Sequence, residues 1–278
     1  MPYTAGGVPP PLAKRLALSP EDWQTEHWRL TDPYLARIVR EAAVYEGREG
    51  EVVRPVVVYP FSPVVADPWG LWAAELGEDK SQGPPRAAIM PKTTAGRAID
   101  WSPKDRELIF ARTVEPFYRQ IEQAAEALWS DSPIILVLTL RSYGSAPLTF
   151  EHSRKYPRPQ VVVGSTAGLT PDGLVNLAGD TFRAFRWWPE LNWPHSGGGC
   201  LPPALAGQPR VRSMTISLGR DLYMDEKTGR LKDSSEGVAR VLRTVFNLLD
   251  QELARVAGVR ISRSLRTKKQ SPIIKANR

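Results

Sequence analysis

The stretch IILVLTL, residues 134–140, decides the fold class of this sequence. It is apolar throughout except for one threonine, and a continuous apolar run of this length is typical of a strand covered on both faces. Such strands belong to parallel or mixed sheets with helices packed on either side. Further strands are predicted at residues 52–58, where the buried part follows Pro55, at 160–163 and at 211–218.

Helices are predicted between these strands. Ser19 and Ser102 each precede a proline and an acidic first turn, which is the pattern of a helix N-terminus. The second of these helices is expected to reach Leu128 with a kink at Pro116. The other predicted helices cover residues 32–45, 172–186 and 238–253. Strands that alternate with helices predict a three-layer α/β/α fold with a mixed central sheet.

The charge of the chain is concentrated at its C-terminal end. The net charge is +7, and residues 260–278 contain seven basic residues and no acid, so the remainder is formally neutral. Residues 1–18 are rich in proline and glycine. We therefore expect a flexible arm at 1–18, a single domain at 19–259 and a basic tail at 260–278. The tail is either a solubilising end or a contact for an anionic surface, a nucleic acid or an acidic partner.

The composition also favours a cytoplasmic protein without a membrane span. No apolar run reaches the roughly 20 residues that a membrane-spanning helix needs. The first residues lack the basic start and apolar core of a secretory signal. The chain has one cysteine, Cys200, so a disulfide framework within the chain is excluded.

Three motifs suit the binding of an anion. In residues 192–200, NWPHSGGGC, the glycines allow close approach of the backbone and expose amide groups. Arg220 begins RDLYMDE directly after a predicted strand, where an arginine can bind a carboxylate with two hydrogen bonds. Arg141 stands just past the strand at 134–140 and is interpreted as a second anion-binding residue.

Each of these motifs also has a purely structural interpretation. The glycine-rich segment is then an ordinary tight loop. Arg220 then forms a surface ion pair with Asp221 or Asp225, and Arg141 is a solvent-exposed charge at a strand end.

Together these segments resemble the N-formylglutamate amidohydrolase family. Its fold is similar to that of zinc carboxypeptidases, and its members hydrolyse N-formyl-glutamate or related acylated amino acids with a bound metal. The resemblance extends over residues 52–226. Its most specific parts are LGRDLYMDE at 218–226, NWPHSGGG at 192–199 and VEPFYRQIE at 114–122, and its weaker parts are VVVYPFSP at 56–63 and LTLRS at 138–142. It implies ligand-binding roles for Arg141, Ser142, Asn192, Gly198, Gly199, Arg220 and Tyr223.

The sequence departs from this family where the chemistry is expected. The family has a histidine where Phe61 stands, and its Pro-Tyr-His step ends here at Tyr118. Its Asp-x-His-Ser motif has Arg141 in place of histidine, and Ser217 replaces a glutamate. A hydrolytic zinc site needs about three protein ligands and a water. Phenylalanine cannot bind zinc and an arginine repels it, so we expect no zinc cofactor.

These observations leave several functions open. The first is a protein with a degenerate metal site that binds a small acidic, acyl-amino-acid-like ligand or a protein partner without zinc hydrolysis. The second is an amide hydrolase or acyl transferase that uses Cys200 and His195, although a lone cysteine is more often an inert apolar residue. The others are a metal hydrolase with different ligands, for instance His152, His195 and Asp67, and a nucleic-acid or scaffold role of the tail.

Overall fold

A computed structural model describes residues 18–47, 50–68, 89–90, 92–130, 132–148, 151, 157–195, 197 and 200–258. The expected basic tail at 260–278 and all but the last residue of the expected arm at 1–18 lie outside these residues. His152, Gly198 and Gly199 lie outside them as well. In the described part, no helix combines the length and the apolar character needed to cross a membrane.

The helices of this part of the chain are α1 (Pro20–Leu30), α2 (Leu35–Ala43), α3 (Pro103–Ile109), α4 (Glu115–Leu128), α5 (Asp172–Ala184) and α6 (Ser235–Val256). Its strands are β1 (Val44–Gly47), β2 (Gly50–Val53), β3 (Ile135–Tyr143), β4 (Val161–Gly164), β5 (Pro189–Leu191), β6 (Val211–Gly219), β7 (Met224–Asp225) and β8 (Arg230–Leu231). The central sheet has the order β3-β6-β4-β5. Strand β6 is parallel to β3 and antiparallel to β4, so the mixed sheet predicted from the sequence is confirmed.

One face of the sheet carries the main apolar core. Because side chains alternate along a strand, Leu138 and Leu140 of β3 lie on the same face as Met214 and Ile216 of β6. These side chains pack against buried residues of α2, α5 and α6. The spacing of apolar residues along α6 predicted this contact, since one side of the helix is buried over most of its length.

The opposite face changes character along the strands. At the start of β3 and β6, Ile135 and Val211 pack against Ala125 of α4. Towards the end of the strands the same face carries polar residues, beginning with Thr139 and its register partner Thr215. Helices therefore lie on both faces of the sheet, and the second helical layer leaves room for polar groups near the strand ends.

Two predicted elements were wrong in their bounds. The strand predicted at residues 52–58 ends at Val53, and residues 54–60 form no strand. Pro55 lacks an amide hydrogen for pairing, and Arg54 is held by α6 through a hydrogen bond of 2.6 Å to Asn247. The helix predicted at 32–45 ends at Ala43, and the residues after it pair with β2 as β1.

The long helix predicted from Ser102 is interrupted as expected, but one turn before the proline. A capping box between Ser102 and Asp105 begins α3. Residues Phe110–Val114 form a π-helical turn between α3 and α4, in which the Glu115 amide donates to the Phe110 carbonyl. A proline cannot donate in the regular helical ladder, and the wider turn accommodates the missing hydrogen bond at Pro116.

Candidate functional site

The candidate site lies on the polar part of the second face. Arg141 of β3 and Ser217 of β6 are register partners, so their side chains stand side by side on this face with Thr139 next to them. The prediction that Arg141 follows the strand was wrong, because β3 continues to Tyr143 and pairs with β6 over its full length. Arg141 is only 8% exposed, which excludes a solvent-exposed charge.

Described residues of the glycine-rich segment at 192–200 contact the sheet next to this face. The amide of Cys200 donates to the Thr139 hydroxyl over 2.8 Å. The carbonyl of Gly197 lies so close to Gly164 of β4 that a Cβ atom there would stand 2.3 Å from its oxygen. Only glycine at position 164 therefore permits the loop to sit directly on the sheet.

Asn192 holds the start of this loop. Its backbone is left-handed, with a φ of 54°. Its side-chain oxygen accepts from the Ser165 amide at 2.8 Å, and its side-chain nitrogen donates to the Ser165 hydroxyl at 2.9 Å. The amide predicted to bind a ligand is thus engaged inside the protein. Gly198 and Gly199, which were expected to contribute backbone amides, lie outside the described residues.

Two of the positions at which the sequence departs from the resembled family belong to an aromatic cluster. The ring centroids of Phe61 and Tyr59 are 5.7 Å apart, and those of Tyr59 and Phe117 are 5.2 Å apart, both with edge-to-face geometry. Tyr118 follows at 6.4 Å from Phe117. Edge-to-face aromatic packing is a stable apolar arrangement. The space around Phe61 and Tyr118 is thus filled by rings.

Cys200 connects this cluster to the polar face. The Cys200 thiol and the Tyr118 hydroxyl both donate to the carbonyl of Pro68, at 3.3 and 3.0 Å. Burial raises the pKa of Cys200, the negative charge of Asp67 raises it further, and the positive charge of Arg141 lowers it in part. The charges of Asp67 and Arg141 therefore act in opposite directions on the Cys200 thiol, which stays neutral.

A second buried group adjoins Arg141. Glu151 and Arg158 form an ion pair, and each side chain is 2% exposed. His195 lies edge-on to the ring of Tyr143 at 5.7 Å. Burial lowers the pKa of His195 to about 3, and the positive charges of Arg141 and Arg158 contribute to this shift. His195 is therefore neutral at pH 7, and its approach to Glu151 at 3.8 Å is not an ion pair.

These pKa directions argue against catalysis by Cys200 and His195. A nucleophilic cysteine needs a thiolate and a base that can accept its proton. The pKa of Cys200 is raised and that of His195 is lowered, so each group stays in its neutral form near pH 7. The inert state of the lone cysteine is the better interpretation.

Arg220 has a structural role in this geometry. It is 4% exposed, so it does not form the surface ion pair considered as an alternative. Its guanidinium donates to the carbonyls of Trp28, Arg29 and Thr31 at the C-terminal end of α1 and, at 3.3 Å, to the hydroxyl of Ser142. A cation at these carbonyls satisfies groups that the helix leaves without partners and complements its dipole.

Ser142 and Tyr223 belong to the same anchor. The amide and the hydroxyl of Ser142 both donate to the carboxylate of Asp32, at 2.6 and 2.8 Å. Tyr223 is fully buried in the main apolar core. Since Ser142 points away from the face that carries Arg141, Arg141 and Arg220 lie on opposite sides of the sheet. The structure does not bring them together as the two arms of a carboxylate clamp.

Glu151 and Arg158 were not predicted from the sequence. Both lie in the connection between β3 and β4, and Arg158 precedes a strand instead of following one. Ligand-binding residues were expected directly after strands, and this criterion does not select a residue that precedes one. Only the tertiary contact with His195 marks these residues as part of the site.

The donor set on this face does not fit the zinc of the resembled family. Of the four positions at which the resemblance predicts metal-binding or catalytic groups, two are in the aromatic cluster and a third carries the cation of Arg141. Within the ranges that the structure covers, no group of three or more His, Cys, Asp and Glu side chains is placed to hold a metal ion. The alternative ligand set of His152, His195 and Asp67 includes a residue outside those ranges.

Comparison with known proteins gives an independent result. The family model of FGase, N-formylglutamate amidohydrolase, matches residues 1–224. Among solved structures, an N-formylglutamate amidohydrolase from Ralstonia eutropha JMP134 is 18% identical, with a TM-score of 0.65 over 92% of this chain and 93% of the other. The gene product Atu2144 from Agrobacterium tumefaciens is 14% identical, with a TM-score of 0.61 over 90% and 88%. No curated protein matches the chain in sequence.

Proposed function

The chain belongs to the N-formylglutamate amidohydrolase family, and from that premise we propose that it is a member with a degenerate metal site that binds a small acidic ligand without zinc hydrolysis. The observation that carries the proposal is the buried guanidinium of Arg141, beside Cys200 and in line with Ser217. A permanent positive charge in this position opposes the binding of a second cation.

The same charge supports an anionic ligand. The positive charges of Arg141 and Arg158 both lower the pKa of the buried His195. Arg158 pairs with Glu151, whose Oε2 lies 3.8 Å from Nε2 of His195. Arginine binds carboxylates with paired hydrogen bonds, and these are stronger away from water. A carboxylate of an acyl-amino-acid-like molecule matches this chemistry. A protein partner that presents an acidic side chain is the second form that the ligand can take.

A binding and turnover experiment tests this proposal. Purified protein is titrated with N-formyl-L-glutamate in a calorimeter, and release of formate is followed in the same solution. We expect saturable binding and no formate release above the rate in buffer. The Ralstonia eutropha amidohydrolase, assayed in parallel, is the positive control for turnover. Formate release that depends on the concentration of this protein would refute the proposal.

The variant Arg141→Met tests whether this guanidinium binds the ligand. Loss of the Arg141 charge is expected to abolish binding, while the exposed variant Arg183→Met leaves it unchanged. Equal binding by both variants would remove Arg141 from the ligand site.

A further inference from the structure

A paired carboxylate-binding geometry already exists inside the protein, at Arg158. Nη1 of Arg158 lies 3.4 Å from Oε1 of Glu151, and Nη2 donates to Oε2. The amide of Leu148 donates to Oε1 at 2.9 Å, and Nε2 of His195 lies 3.8 Å from Oε2. Parallel contacts from one guanidinium to two oxygens are the mode in which arginine recognises carboxylates. Here the carboxylate belongs to the chain itself.

This arrangement has capacity for a ligand beyond what Glu151 uses. The Nε atom of Arg158 is buried and has no hydrogen-bond partner among the residues described. Arg158 also donates from Nη1 to the carbonyl of Gly144 at 3.1 Å, and its guanidinium lies 5.3 Å from the centroid of the Tyr143 ring. A buried donor without a partner is rare and is satisfied when a ligand with an acceptor oxygen enters.

We propose that Glu151 is an internal carboxylate that occupies a ligand site formed by Arg158, the Leu148 amide and His195, and that a small carboxylate ligand binds there by displacing it. This inference rests on the proposed function, because it specifies where the acidic ligand binds. Under this proposal Arg158, instead of Arg220, is the second cation that, with Arg141, attracts the carboxylate ligand. Glu151 then sets the affinity of the site, since the ligand competes with a carboxylate of fixed position.

Chemical rescue tests the site directly. The variant Glu151→Ala removes the internal carboxylate and leaves space beside Arg158. Sodium formate and sodium acetate are the probes, and melting temperature is measured against sodium chloride at equal ionic strength. We expect the carboxylates to raise the melting temperature of Glu151→Ala in a saturable way, above the effect of chloride, and to have little effect on the wild type. The double variant Glu151→Ala/Arg158→Ala should show no difference between carboxylate and chloride.

Two results of this experiment would overturn the inference. One is an equal effect of formate, acetate and chloride on Glu151→Ala. The other is a carboxylate effect that persists in the double variant, because Arg158 would then not be the binding group.

The milder variant Glu151→Gln covers the case in which Glu151→Ala does not fold. It keeps the shape of the side chain but not its charge, so the competing carboxylate is absent. We expect N-formyl-L-glutamate to bind at least about tenfold more tightly than to the wild type. The matched control is Glu115→Gln, whose carboxylate accepts from Arg119 at 2.6 Å in an exposed pair on α4. Unchanged affinity in Glu151→Gln would refute the inference.

Failure of this inference can be distinguished from failure of the proposed function. The proposed function fails if the wild type releases formate from N-formyl-L-glutamate. The change in melting temperature with formate and acetate involves no turnover and reports only the binding of a carboxylate beside Arg158.

Discussion

The two faces of the central sheet contain the same strands but are stabilised in different ways. The face under α2, α5 and α6 is apolar along the middle of the strands, and at the end of β3 it carries Ser142, which together with Arg220 ties α1 to the sheet. The opposite face is apolar only at the start of the strands and then carries Thr139, Arg141 and Ser217. The first face carries the main apolar core, and the second carries buried polar and charged groups near the strand ends.

This comparison changes the meaning of the motif that most resembles the family. LGRDLYMDE contributes its arginine and its tyrosine to the first face, where both are structural. Arg141 and Ser217, where departures from the family are expected from the sequence, both lie on the second face. A motif can resemble a family because it supports the scaffold, so its presence alone does not establish the chemistry on the other side of the same strands.

The largest expected effect on stability comes from substituting two neighbouring residues of β6, one on each face of the sheet. Ile216 is fully buried on the first face and Ser217 is buried on the second. Ile216→Ala should lower the free energy of unfolding by about 2–5 kcal/mol, because it leaves a cavity in the apolar core. Ser217→Ala should change it by less than about 1 kcal/mol. Urea denaturation measures both, and similar losses would contradict the division into two faces.

A smaller loss is expected when the anchor of α1 is removed. Arg220→Met leaves the carbonyls of Trp28, Arg29 and Thr31 without their buried donor. We expect a loss of about 3 kcal/mol in the free energy of unfolding, since a buried acceptor without a partner is unfavourable. The control Arg183→Met removes an exposed ion pair and should change it by less than about 1 kcal/mol. Loss of ligand affinity in Arg220→Met without loss of stability would instead support the predicted ligand-binding role of Arg220.

The second face should respond to pH through His195. Its pKa is lowered to about 3 by burial and then by the positive charges of Arg141 and Arg158. The unfolded chain therefore binds a proton near pH 6.5 that the folded chain does not bind until about pH 3. Stability falls as pH decreases through this window, by at most about 1.4 kcal/mol per pH unit from this group.

The variant His195→Gln isolates that contribution. Its free energy of unfolding should depend less on pH between 6 and 4 than that of the wild type. His27 also has a lowered pKa, so part of the dependence will remain. An unchanged slope in His195→Gln would show that the imidazole is not buried as described.

The last prediction concerns Cys200 and is tested by a rate of chemical modification instead of a change in stability. The thiol is buried and its pKa is raised, first by burial and then by Asp67. We expect alkylation by iodoacetamide at pH 8 to be at least about 100-fold slower in the folded protein than in urea, because it requires local opening. A rate similar to that of the denatured control would revive a catalytic role for the thiol.

Elements with a strong local pattern were predicted correctly from the sequence. The apolar run at 134–140 forms β3, and the periodic residues after 235 form α6. The strand expected at 52–58 failed because Pro55 interrupts pairing and Arg54 binds a distant helix. The domain limits at 1–18, 19–259 and 260–278 remain a prediction.

The site could be predicted only in part. Sequence spacing selected Arg141 and the segment that ends at Cys200 as candidates, because both follow strand or turn patterns, and their ligand-binding role stays a prediction. It assigned Arg220 to the ligand, since the carbonyls that Arg220 binds lie about 190 positions away and have no local signature. Glu151 and Arg158 were missed for the same reason: their function depends on contacts between segments that the sequence does not place together.

The central proposal is that the second face does not bind a metal ion. The most direct measurement is elemental analysis of purified protein after incubation with excess zinc and exhaustive dialysis, with the Ralstonia eutropha amidohydrolase treated in parallel. We predict a zinc content far below one ion per chain, and no gain of N-formyl-glutamate hydrolysis after the incubation. One zinc ion per chain, accompanied by hydrolysis, would contradict this account.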